Sequence, residues 1–99
     1  MQKLMDILEV YELPSVGVVV CGTNPELDDL SREDIRRIIG QKIQVTNSDG
    51  DDFALQVMGT DISTSISGKV SICISLGDAI KADEIKLRER TFTVYTIEG

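Results

Sequence analysis

Val70-Ser71-Ile72-Cys73-Ile74-Ser75-Leu76 carries four aliphatic side chains on alternate positions, with small polar residues and a cysteine between them. A period of two over seven residues is the signature of a strand with one buried and one open face. Working outward, the same alternation returns at Ile43 and Val45 against Lys42, Gln44 and Thr46. It returns again at Phe53, Leu55 and Val57 against Ala54, Gln56 and Met58. Between those two runs lies Thr46-Asn47-Ser48-Asp49-Gly50-Asp51-Asp52, whose Asp-Gly step supplies the positive φ that a hairpin turn needs. Thr91-Phe92-Thr93-Val94-Tyr95-Thr96-Ile97 is β-branched and aromatic, and reads as a closing strand. Short strands separated by turn signals make the chain mainly β, a barrel or a sandwich.

One helix interrupts this pattern. Ser31 is its expected N-cap, with Asp34 three residues on as a variant capping box. Ile35, Ile38 and Ile39 share a face, Leu30 and Ile35 are placed for a hydrophobic staple, and Glu33 is spaced to pair with Arg37. Gly40 marks the stop, so the helix is a short accessory lid. The opening segment stays ambiguous: Leu4, Ile7, Leu8 and Tyr11 fit a helix stripe, whereas Leu8 and Val10 fit a strand.

The 99 residues have room for one core, so a single domain over 1–99 is expected. Composition is ordinary for a globular chain: 41% hydrophobic, 27% charged, two prolines. No apolar run approaches the length of a membrane helix. Asp6 arrives before any apolar segment of a signal peptide can develop, so a cytoplasmic, reducing setting is expected. In that setting Cys21 and Cys73 read as free thiols acting as small buried hydrophobes, with a disulfide or a reactive thiol as alternatives.

Chemistry is narrowed by what is missing. The chain has no histidine and no tryptophan, which removes the commonest general base and metal ligand. A Ser/His/Asp or Cys/His nucleophile therefore cannot be built, and neither can a Cys₂His₂ zinc site. Asn47, Asp49 and Asp51 have calcium-loop spacing, but Asp52 stands where glycine is required and Met58 where the bidentate glutamate belongs. Ser67-Gly68-Lys69 fails as a phosphate loop because Ser63 replaces the upstream glycine and Val70 follows the lysine. No cofactor, metal or catalytic residue is expected, and the chain is read as non-enzymatic.

Charge points to a binding role. The net charge is −7, and residues 1–34 hold eight acids against Lys3 and Arg32, while the rest is nearly neutral. Such a surface repels nucleic-acid phosphate and attracts basic partners. The residues singled out for partner binding are Glu26, Asp28 and Asp29 in the acidic turn, with Arg32, Arg36 and Arg37 on the helix. Lys81, Lys86, Arg88 and Arg90 form a second modest basic cluster. A protein partner with a basic surface is expected, as when an acidic immunity-type protein blocks a basic toxin. The alternative is an RNA- or ribosome-binding accessory of translation, which the charge disfavours. Monomer and homodimer both remain open, since Val16–Val20 and Tyr95–Ile97 are runs able to expose an apolar patch.

The order of the strands resembles domain 2 of translational GTPases such as elongation factor Tu. Leu8-Glu9-Val10-Tyr11-Glu12-Leu13-Pro14-Ser15-Val16-Gly17-Val18-Val19-Val20-Cys21-Gly22 is similar to that family's D-V-F-x-I-x-G-x-G-x-V-V-x-G opening. Val10, Tyr11, Leu13, Gly17, Val19, Val20 and Gly22 fall in register with it. Ile39-Gly40-Gln41-Lys42-Ile43-Gln44-Val45 resembles its V-G-D-x-V-x-I arm, and Gly68 with Val70–Ile74 its G-D-x-V-x-x-x-L strand. Ile80-Lys81-Ala82-Asp83-Glu84-Ile85 resembles its I-x-x-x-E-I turn. The resemblance implies a closed six-stranded β-barrel with residues 5–13 as strand, used as a docking surface. It implies no GTPase activity, because the GTP-binding domain is absent, and the acidic turn and helix replace a shorter connection.

Overall fold

A computed structural model describes residues 2–97. Seven strands make one antiparallel sheet: β1 (Lys3–Leu13), β2 (Gly17–Thr23), β3 (Lys42–Asn47), β4 (Asp52–Gln56), β5 (Gly59–Thr64), β6 (Val70–Gly77) and β7 (Phe92–Thr96). Their order across the sheet is β4-β3-β7-β1-β2-β6-β5. The mainly β expectation holds, with seven strands in place of six, and no ladder joins the end strands β4 and β5. Those two ends are nevertheless consecutive in the chain, linked by Val57 and Met58. The Val57 N–H donates to the Gln41 carbonyl and the Met58 N–H to the Ser75 carbonyl, each at 2.8 Å.

The core follows from the alternation. Val70, Ile72, Ile74 and Leu76 of β6 are buried, as are Ile43 and Val45 of β3 and Phe92 and Val94 of β7. Facing them are Leu4, Met5 and Ile7 of β1 with Val18 and Val20 of β2. Leu27, Ile35, Ile39, Ile80 and Ile85 join the same cluster from outside the sheet. Of the two runs expected to expose an apolar patch, Val18, Val19 and Val20 are buried, and only Val16 and Ile97 stand open.

The opening segment is strand, not helix, and its ambiguity has a physical origin. The β1 register slips between Lys3 and Met5 against β7, and between Ile7 and Glu9 against β2. Each irregularity skips a residue, so consecutive Leu4 and Met5 are both buried while Leu8 is pushed out into solvent. Two slips in one strand break the period of two and imitate a helical stripe.

The helix α1 (Arg32–Ile39) forms as its capping residues dictate. Ser31 Oγ accepts the Asp34 N–H at 3.1 Å, and the Gly40 N–H closes on the Arg36 carbonyl. Ile35 and Ile39 are fully buried. The ion pair differs from expectation: Arg37 meets Asp34, at 3.5 Å, in place of Glu33. Leu30, placed to staple against Ile35, stays 36% exposed. The Asn47–Asp51 segment is a hairpin turn between β3 and β4, as expected. Asn47 Oδ1 accepts both the Asp49 and Asp51 N–H groups at 3.0 Å. A second turn joins β5 to β6, where the Ser65 N–H meets the Lys69 carbonyl.

Candidate functional site

The acidic turn is held in place by two side chains. Asn24, buried, caps the 3-10 turn Pro25–Leu27 by accepting the Glu26 N–H at 3.0 Å, and donates to the Lys3 carbonyl. Asp28 Oδ1 accepts the Val70 N–H at 2.9 Å, 42 residues away in sequence. Of the three acids assigned to partner binding, Asp28 is therefore engaged in pinning the turn to the start of β6. Glu26 and Asp29 remain exposed. Replacing Asp28 with alanine strands a partly buried N–H and is expected to cost about 1–3 kcal/mol. An unchanged urea midpoint for Asp28→Ala would contradict that role.

Arg32, Arg36 and Arg37 are exposed on α1. Arg37 is paired with Asp34, whereas Arg32 and Arg36 make no ion pair among the described residues. Along the chain the three assigned acids come first and the three arginines follow, and no ion pair among the described residues joins the two groups. In the second basic cluster Arg90 Nε sits 2.7 Å from Asp49 Oδ2, tying the segment before β7 to the β3–β4 turn. Lys86 and Arg88 are exposed.

Cys21 and Cys73 correct the expectation of free, buried thiols. They lie directly opposite each other across the β2–β6 ladder and form a disulfide. Both are half-buried on the outer face of the sheet. The pleat explains this: Ile72 and Ile74 point into the core, so Cys73 between them must point outward.

Around that disulfide the outer face of β1 and β2 is unexpectedly apolar. Glu9 pairs with Cys21, Tyr11 with Val19 and Leu13 with Gly17, giving one outward row along β1. Leu8, Tyr11 and Leu13 are 59%, 46% and 44% exposed, far from the burial their chemistry favours. The Tyr11 hydroxyl donates to Glu9 Oε2. A shallow depression of about 160 Å³ lies among Leu8, Tyr11, Thr23 and the two cysteines. Asp61 stands beside Cys73 on β5, so carboxylates of Glu9 and Asp61 flank the apolar centre on both sides. Along β2 the face runs through Thr23 directly into the turn that presents Glu26.

This face was legible in part. Once β1 is taken as strand, Glu9, Tyr11 and Leu13 share a side by alternation, but Leu8 joins them only through the bulge.

A larger groove of about 520 Å³ runs beside the end of β1, between Glu12, Leu13 and Pro14 on one wall and Asp78, Ile80 and Lys81 on the other. Among the described residues no three metal-ligating side chains converge. No helix among them is long and apolar enough to cross a membrane. No protein family, curated protein or solved structure matches the chain.

Proposed function

We propose that the chain is a non-enzymatic binding module whose partner is a protein with a basic surface. The observation that carries this reading is the outward row Glu9, Tyr11 and Leu13 with Leu8 beside it. Exposed aromatic and aliphatic side chains grouped on one sheet face and rimmed by charge mark interaction surfaces. The rim here is acidic, from Glu9, Asp61 and the neighbouring Glu26 and Asp29, which favours a basic partner and speeds its encounter. An immunity-type role, in which this face blocks a basic toxin, is the narrower form of the proposal.

The fold reading belongs with it. We take β4 and β5 as one strand bent at Val57 and Met58, bonded to β3 by its first half and to β6 by its second. Counted that way the sheet is a six-stranded barrel of the translation-factor domain 2 type, working as a docking platform in the cytoplasm. Arg32 and Arg36, which make no ion pair among the described residues, favour the RNA reading, against a chain of net charge −7.

Affinity capture from host lysate with the tagged protein, with and without RNase, separates the two. A discrete basic protein retained after RNase is the expected result. Ribosomal or transfer RNA recovered alone, and lost at raised salt, would overturn the proposal, because phosphate contacts release counterions.

A further inference from the structure

We propose that the open edge of β1 at Val10 and Glu12 is a strand-addition site for an extended, basic segment of a partner protein. This deepens the binding-module reading and rests on it. The geometry begins at the disulfide. Cys21 and Cys73 have their Cα atoms 4.1 Å apart, the narrow spacing of an antiparallel pair that does not exchange backbone hydrogen bonds. The backbone N–H and C=O of Cys21 therefore point the other way, to Glu9 of β1. Alternation along β1 then gives Glu9, Tyr11 and Leu13 to β2, and turns the N–H and C=O of Val10 and Glu12 away from it.

On that far side β7 pairs with β1 only at Lys3, Met5 and Asp6. No other backbone hydrogen bond among the described residues reaches Val10 or Glu12. The nearest link is through a side chain, the Ala82 N–H to Glu12 Oε1 at 3.5 Å. Two donors and two acceptors are thus aligned along a strand edge that opens on the groove walled by Asp78, Ile80 and Lys81. An extended chain laid there gains ladder hydrogen bonds for affinity, and alternate side-chain positions for specificity.

Charge selects the occupant. Glu12 on the strand and Asp78 on the opposite wall line the groove against one lining cation, Lys81, and Glu9 adds a third carboxylate on the other face of the strand. A segment alternating basic and apolar residues sets its cations on the face of Glu12 and its apolar side chains on the opposite face, beside Tyr11 and Leu13. A second copy of β1 would bring its own Glu9 and Glu12 to the same edge, where like charges repel.

The test uses the full ¹⁵N-labelled chain and a capped synthetic peptide of alternating lysine and valine, with its glutamate–valine counterpart as control. Expected are amide-exchange rates at Val10 and Glu12 slowed at least tenfold by the lysine peptide, with shifts over residues 8–13 and 78–81. The glutamate peptide should leave both unchanged. In the Glu9→Lys/Glu12→Lys variant the lysine peptide should bind at least tenfold more weakly, with the urea midpoint retained. Shifts confined to residues 26–37 would overturn the proposal, as would unaltered exchange at Val10 and Glu12. So would protection that rises with protein concentration without peptide, which would mark a second copy as the occupant. If a basic protein captured from lysate binds wild type and the double variant alike, the edge assignment fails while the binding-module reading stands.

Discussion

Replacing Gly17 with alanine is expected to lower the unfolding free energy by about 2–5 kcal/mol, enough to threaten a domain of this size. Two costs combine. Gly17 sits at φ +85, a conformation that costs an L-residue about 1–2 kcal/mol. A Cβ there would also stand 2.7 Å from the Gly77 Cα and closer still to its carbonyl. Both obstacles are backbone, so neither can swing aside, and overpacking of this kind costs about 1–3 kcal/mol or more. Gly50 provides the control, with φ +89 and nothing within 4 Å of its added Cβ. Gly50→Ala should show only the conformational cost, about 1–2 kcal/mol. Equal urea midpoints for the two variants would show that the approach of β2 to the end of β6 is not tight.

Breaking the Cys21–Cys73 bond is the second large effect, an expected loss of about 2–4 kcal/mol. The bond spans 52 residues, so it removes much chain entropy from the unfolded state. The folded state should change little, because β2 and β6 pair on both sides of the cysteines and a serine hydroxyl on this half-exposed face finds water. The urea midpoint is measured with and without reductant, beside the Cys21→Ser/Cys73→Ser variant. Reductant should bring wild type down to the level of the variant and leave the variant unmoved. A wild-type midpoint indifferent to reductant would contradict the account.

What the sequence made legible was whatever rests on local periodicity and local hydrogen bonds. The inward row of β6, the Ser31 cap of α1 and the turn around Asn47 are each specified within a few residues, and each stands as expected. Signals spread over distant elements were not readable. The two slips in β1 arise from pairing with different neighbours, and they hid a strand behind a helical stripe. β5 has one buried aliphatic, Ile62, among threonine, serine and aspartate, so its pairing with β6 left almost no mark. The role of Asp28 depends on Val70, far along the chain, which no local pattern could supply. The cysteines are a different case. Cys73 lay in the polar phase of the deciding stretch, so its outward direction was readable there. Its pairing with Cys21 needed the β2–β6 register.

The site was legible to a smaller degree. The acidity of residues 1–34 was plain, but composition cannot say which acids are free, and Asp6, Asp28 and Asp34 prove to be engaged. The exposed row on β1 combines an irregular strand with unusual exposure, and only three-dimensional placement reveals it.

The most direct test of the central claim is the association rate of the captured basic protein with wild type and with Glu9→Lys/Glu26→Lys/Asp29→Lys. These three acids are exposed, and among the described residues their side chains engage no backbone group. Opposite charges around an interface act chiefly on encounter, so the account predicts association at least tenfold slower for the variant and a much weaker dependence on salt. Association equally fast for both proteins, with the same salt dependence, would contradict it.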